Sequence, residues 1–176
     1  MLFAQKVKLR GEGWGAVDGA FARVPLSSEQ VLHPERYTGD QPDWPTAVDL
    51  PDLASVVGPG WTTLDDNTFG ELGVRLLLAE QGLSEVESAA AGWDGDRFAT
   101  LEGPDGAVAG VWVSVWDDEA EAQGAFEALS RWVPAVRPNA SPKKLKSTTG
   151  SWAGAAGVTA LHRDGARVVL VLDAPK

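Results

Sequence analysis

Cysteine is absent from all 176 residues, which removes disulfides, thiolate catalysis and Cys-based zinc or iron–sulfur sites together. Histidine is almost absent. His33 and His162 are the only two, and neither has a second histidine three to five residues away, so zinc-finger and metalloprotease spacing is excluded. Cations are in the minority, 15 Lys and Arg against 25 Asp and Glu, for a formal net charge of −10. That field repels a phosphate backbone, and the one basic cluster, Lys143, Lys144 and Lys146, is too small to reverse it. No nucleic-acid partner is expected. No apolar run reaches bilayer-spanning length, and the first residues lack a basic stretch followed by an apolar one. On that reading there is no membrane span and no signal peptide, and the chain sits in the cytoplasm, or is exported if it is a fragment of a longer secreted protein. A nucleophile elbow and a P-loop ending are missing too. No cofactor and no metal are expected.

The chain that remains is of ordinary globular composition, with 44% apolar and 23% charged residues, and long enough to bury a core without a staple. Apolar spacing predicts short helices over residues 2–10 and 14–22, broken at Gly11-Glu12-Gly13. Ser27 and Gln30 have capping-box spacing for one further turn, which Pro34 should end. Thr38–Pro51 is rich in Pro, Asp and Thr and reads as an extended connector. The run from Asp65 to Gly82 is the clearest helix, with Thr68 and Glu71 as capping box and Leu72, Arg75, Leu76 and Ala79 along one stripe. Ser84 and Glu87 repeat the capping signal for a short helix that should stop at Gly92.

The period then changes. Arg97–Glu102 and Val108–Trp116 read as two strands joined by the turn Pro104-Asp105-Gly106, with Trp112, Ser114 and Trp116 on one face. Asp117 or Asp118 caps a helix whose stripe is Ala122, Ala125, Phe126, Leu129 and Val133, and Pro134 should end it. Residues 134–150 read as a loop. Trp152–His162 and Ala166–Ala174 form a second hairpin around Arg163-Asp164-Gly165. The expected fold is α+β: an antiparallel sheet in β-β-α-β-β order with helices packed on one face, preceded by a helical amino-terminal arm. The expected division is an arm over residues 1–60 and a two-layer domain over residues 61–176. The arm is too apolar to stand alone, so self-association, or a protein partner, is expected through Leu2–Phe21.

Candidate chemistry is sparse. His33 with Glu29 or Glu35 has the elements of an acid–base pair, set against a packing or capping role. Asp65-Asp66-Asn67, Asp94 with Asp96, and Asp117-Asp118-Glu119-Glu121 supply oxygen ligands, but none matches an EF-hand loop. The first and third precede predicted helices, where carboxylates favour the positive end of the dipole. Asp94-Gly95-Asp96-Arg97 is the least easily explained and is the candidate ligand-binding turn, together with His33. Eight tryptophans are many for this length. Trp112 and Trp116 on one strand face are either a ligand platform or core, and core is favoured.

Three segments also share a resemblance: Gly13-Trp14-Gly15-Ala16-Val17-Asp18 through Phe21, Ser27 through Tyr37, and Ala90-Ala91-Gly92-Trp93-Asp94-Gly95-Asp96-Arg97. In that order they resemble the carboxyl-terminal, non-catalytic half of bacterial and archaeal gluzincin-like, metallopeptidase-related proteins. The HExxH helix of such peptidases is not in this sequence. The resemblance therefore implies a separate or truncated non-catalytic product and no proteolysis by this chain alone. The function expected is a non-enzymatic interaction or accessory module. The alternative is a small-ligand-binding or hydrolytic enzyme with a cleft near Asp94, Asp96 and His33.

Overall fold

The computed structural model describes residues 2–11, 13–38 and 41–176; nothing is described of the side chains of Leu2 and Asp105. Glu12, in the expected helix break, and Gly39 and Asp40, in the expected connector, lie outside the described residues. The arm forms as its spacing dictates: α1 is Leu2–Arg10 and α2 is Trp14–Ala22. Ser27 caps α3, Ser28–Leu32, by accepting from the Gln30 amide at 3.1 Å. Pro34 does more than end that turn. It opens α4, Pro34–Tyr37, because its fixed φ suits a first helical position. An extended connector follows, then α5, Leu53–Val57, capped by Asp52.

Asp65-Asp66-Asn67 corrects the first helix boundary. These residues belong to a strand, β1, Thr62–Asn67, and α6 begins later, at Gly70–Glu80. The expected Thr68 cap is not made. Thr68 donates its hydroxyl to the carbonyl of Asp96, and the first amides of α6 are held by other parts of the chain. The buried face of α6 is Glu71, Val74 and Leu78, while Leu72 and Leu76 of the expected stripe are exposed. Ser84 likewise caps nothing; α7, Val86–Ala90, starts after Glu85 in a left-handed conformation.

Strand β2 is longer than its apolar run, Trp93–Glu102, and β3 is Val108–Trp116 as expected. Trp93 pairs with Trp116 across a register shift at Asp94, so both indoles reach the core. Asp118 caps α8, Glu119–Val136, by accepting from the Ala120 and Glu121 amides at 2.8 and 2.9 Å. All five expected stripe residues of α8 are buried. Pro134 does not stop this helix, because it lies in the last turn and the chain runs on to Val136.

The remaining region corrects the strand count. The expected 134–150 loop contains an edge strand, β4, Ser141–Lys146. The expected long strand divides at Gly154–Gly157 into β5, Thr149–Ala153, and β6, Val158–Asp164, before β7, Arg167–Ala174. Seven strands form one antiparallel sheet in the order β1-β2-β3-β7-β6-β5-β4, in place of β-β-α-β-β. Helices α6 and α8 share the main core with Trp93, Trp112, Trp116, Trp152 and Leu170. The register puts Ala99, Leu101 and Ala109 on the opposite face, and they are buried as well, so the apolar layer is not confined to one side.

Gly95 fixes where the connector crosses β2. A Cβ there would lie 2.1 Å from the Thr46 carbonyl oxygen, a backbone atom that cannot swing aside. Gly95→Ala is expected to destabilise the fold by about 2 kcal/mol or more, read as a lower midpoint in urea unfolding with an unchanged slope.

Candidate functional site

The turn that the sequence singled out is held at its centre by the Asp96 carboxylate. Asp96 lies on the core-facing side of β2 and is 4% exposed. Its Oδ1 accepts from the Gly70 amide and from the Trp93 indole, both at 2.9 Å. Its Oδ2 accepts from the Phe69 amide at 2.9 Å and from the Trp112 indole at 2.7 Å. Four N–H donors therefore meet about four lone-pair sites, and no acceptor capacity is left for a ligand. Two donors are the opening amides of α6, so the carboxylate both caps that helix and faces the positive end of its dipole. Gly70 stands at φ +68°, a left-handed conformation that a side chain rarely adopts, and its missing Cβ leaves room for the Ser28 hydroxyl. That hydroxyl accepts the next free amide, from Leu72, at 3.1 Å.

The other three candidate residues are engaged differently. Asp94 accepts from the Thr46 hydroxyl at 2.5 Å and its amide at 3.2 Å, tying the connector to the start of β2. Arg97 points away from the core and pairs with Asp66 on β1. His33 donates through Nε2 to Glu71 Oε1 at 2.9 Å, and Nδ1 lies 3.6 Å from Glu35. Arg75 reaches the same Glu71 oxygen at 2.5 Å. A cleft of about 490 Å³ opens between the connector and the first residues of β2, and Asp96 and Arg97 line it with Thr46, Asp49 and Thr68. Asp94 and His33 do not line it. His33 meets Asp96 only indirectly, through the first turn of α6. Trp112 and Trp116 are core, at 4% and 2% exposure, and make no surface platform.

Sequence reasoning missed a dense charge cluster among the described residues. Arg36 Nη1 lies 2.7 Å from Glu29, 3.0 Å from Asp43 and 2.7 Å from Asp117. The three carboxylates offer oxygens all within 4.8 Å of one another, and the guanidinium already stands among them. One cation does not balance three acids at this burial. Burial pushes the Glu29 carboxyl up to about 8, against the pull of Arg36 and with the help of Asp117, Asp43 and Glu71. Burial raises Asp117 and Glu121 in the same direction. No local signal pointed here, because Glu29, Arg36, Asp43 and Asp117 come from α3, α4, the connector and the α8 approach. Glu29 itself entered the reading only as a partner for His33, which instead bonds Glu71.

Two expected outcomes follow from this geometry. Asp96→Asn puts an amide donor against N–H donors in a buried site, and a loss of about 3–5 kcal/mol is expected in chemical unfolding. Glu29 binds its proton more tightly when folded. Its stabilisation is complete below about 4.5 and is lost as the pH rises to about 8. The stability of Glu29→Gln relative to the parent chain should therefore rise across that window and level off above it, measured by urea midpoints at a series of pH values.

A family model described as a domain of unknown function, DUF8575, matches residues 59–176. No curated protein matches the chain. The crystal structure of the extracellular domain of PknH from Mycobacterium tuberculosis is similar at 11% identity, with a TM-score of 0.41, covering 73% of this chain and 87% of that one.

Proposed function

The chain belongs to the DUF8575 family, whose model spans residues 59–176, and we propose that it is a non-enzymatic interaction or accessory module that docks through the amino-terminal arm preceding that region. The observation that carries the proposal is α2. It is composed of Trp, Gly, Ala, Val and Phe with one Asp, yet none of its residues is buried. Phe21 is 82% exposed and Leu9 of α1 81%. Between the two helices runs an apolar groove of about 280 Å³, with Phe3, Val7, Val17 and Phe21 among its walls. Exposed apolar surface concentrated on one element marks a contact surface. A second copy of the arm, laid across the groove, would bury both apolar faces at once.

The residues with chemical capacity support the same reading. Asp96, Asp94, Arg97 and His33 are each engaged in internal hydrogen bonds or ion pairs that join elements of the fold. The sequence has no HExxH, so a relation to gluzincin-like proteins would make this the accessory, non-catalytic part. A ligand-binding or hydrolytic role at the cleft beside Asp96 draws support from its volume alone.

Light scattering on the full chain in high salt tests the proposal, because apolar contacts persist when charges are screened. The expected result is a dimer that Phe21→Asp converts to a monomer with unchanged circular dichroism. A monomer at high protein concentration, or hydrolytic turnover lost on changing His33, would overturn it.

A further inference from the structure

The two edges of the sheet carry opposite charge. Strand β1 reads TTLDDN and β4 reads SPKKLK, and all six residues of each are exposed. They are the outermost strands, so each has one row of backbone groups with no strand beside it. Leu64 and Leu145 are 56% and 63% exposed, far from the shared core. Among the described residues, no carboxylate lies within ion-pair distance of Lys143, Lys144 or Lys146.

Set antiparallel, the two sequences match at three successive positions. Leu64 falls opposite Leu145, Asp65 opposite Lys144 and Asp66 opposite Lys143. Opposite-charge and apolar pairs directly across a ladder are stabilising, while like charges there are destabilising. We propose that β1 of one copy pairs with β4 of the next, so that the chain associates head to tail through its sheet edges. The partner is thus a second copy of this chain, and the contact is independent of the arm.

The same charges exclude the competing pairings. Two antiparallel β1 edges would oppose Asp65 to Asp66, and two antiparallel β4 edges would oppose Lys143 to Lys144 or to Lys146. Each edge is therefore protected against itself and complementary to the other, which is specificity by repulsion as well as attraction. The ladder is short. Register shifts occur between Thr63 and Asp65 and between Pro142 and Lys144, and Pro142 supplies no N–H. Asp66 already holds Arg97, leaving Asp65 with Lys144 as the central pair. Such a contact is weak and electrostatic, and a heterologous one leaves both ends open to further copies.

Sedimentation velocity on the full chain carrying Phe21→Asp, so that the arm contributes no contact, at low salt (about 20 mM) and high salt (about 500 mM) tests this. The expected result is concentration-dependent association at low salt that weakens roughly tenfold or more at high salt. Lys144→Glu should abolish it, as should Asp65→Lys, both with unchanged thermal unfolding. Mixing the two variants should restore association, because each then offers the charge the other lacks. Salt-independent association, or pairs of variants that do not rescue each other, would overturn the proposal. Association that occurs only when Phe21 is kept, and survives both edge variants and high salt, belongs to the arm and leaves that reading standing alone.

Discussion

One carboxylate organises the centre of this molecule. Asp96 receives two indole N–H groups and two backbone amides, and those donors come from β2, β3 and the start of α6. A buried anion is tolerated only where its lone pairs are met, and here fixed dipoles meet them. The arrangement also solves a problem for α6, whose opening amides have no local cap. Helix and sheet thus satisfy one another, and neither polar set would be stable in the core alone. The Phe69 ring is seated by the same contacts, 4.4 Å from Phe98 and 5.6 Å from Trp112, centroid to centroid.

The helical segments before the sheet attach to that centre in steps. Ser28 accepts the Leu72 amide, and His33 bonds Glu71 one residue before it. Arg36 then ties α3 and α4 to Asp117 at the start of α8 and donates to the Ala91 carbonyl. Three buried or half-buried acids are therefore handled in three ways. Asp96 is met by neutral donors, Glu71 by His33 and Arg75 at Oε1 alone with Oε2 left without a partner, and Glu29 by a shared cation together with a retained proton. The division follows from which groups each site brings within reach: backbone and indole dipoles surround Asp96, and protonation relieves Glu29 where Arg36 is shared with Asp43 and Asp117.

Period-based reading recovered the elements whose stability is local. The stripe of α8, strand β3 and the two arm helices follow from 3.6- and 2-residue spacing that tertiary contacts did not override. It failed where a distant group replaced a local one. Thr68 and Ser84 have the form of caps, yet Asp96, from the strand 26 residues on from Gly70, caps α6. Strands β1 and β4 were invisible for a related reason: edge strands are polar on both faces, and neither TTLDDN nor SPKKLK alternates with apolar residues. The turn Asp94–Arg97 stands out in the sequence as the least easily explained acidic cluster, and its Asp96 proves to be a buried hub of hydrogen bonds. Its purpose was not legible, because the donors to Asp96 include Trp112 and the α6 amides, which no spacing rule connects to it.

That outcome bears on where function can reside. A residue whose every lone pair is matched inside the fold is a fixed part of the structure, and changing it changes stability before it changes anything else. The interior of this chain is of that kind at Asp96, whereas Glu71 keeps one buried oxygen, Oε2, without a hydrogen-bond partner. The surfaces that are not internally matched are the apolar arm and the two charged sheet edges. The arm offers area without charge balance, and the edges offer charge with little area. A contact of the first kind strengthens as salt screens repulsion between acidic bodies, and one of the second kind weakens. Opposite salt dependence therefore separates the two proposed contacts within one molecule.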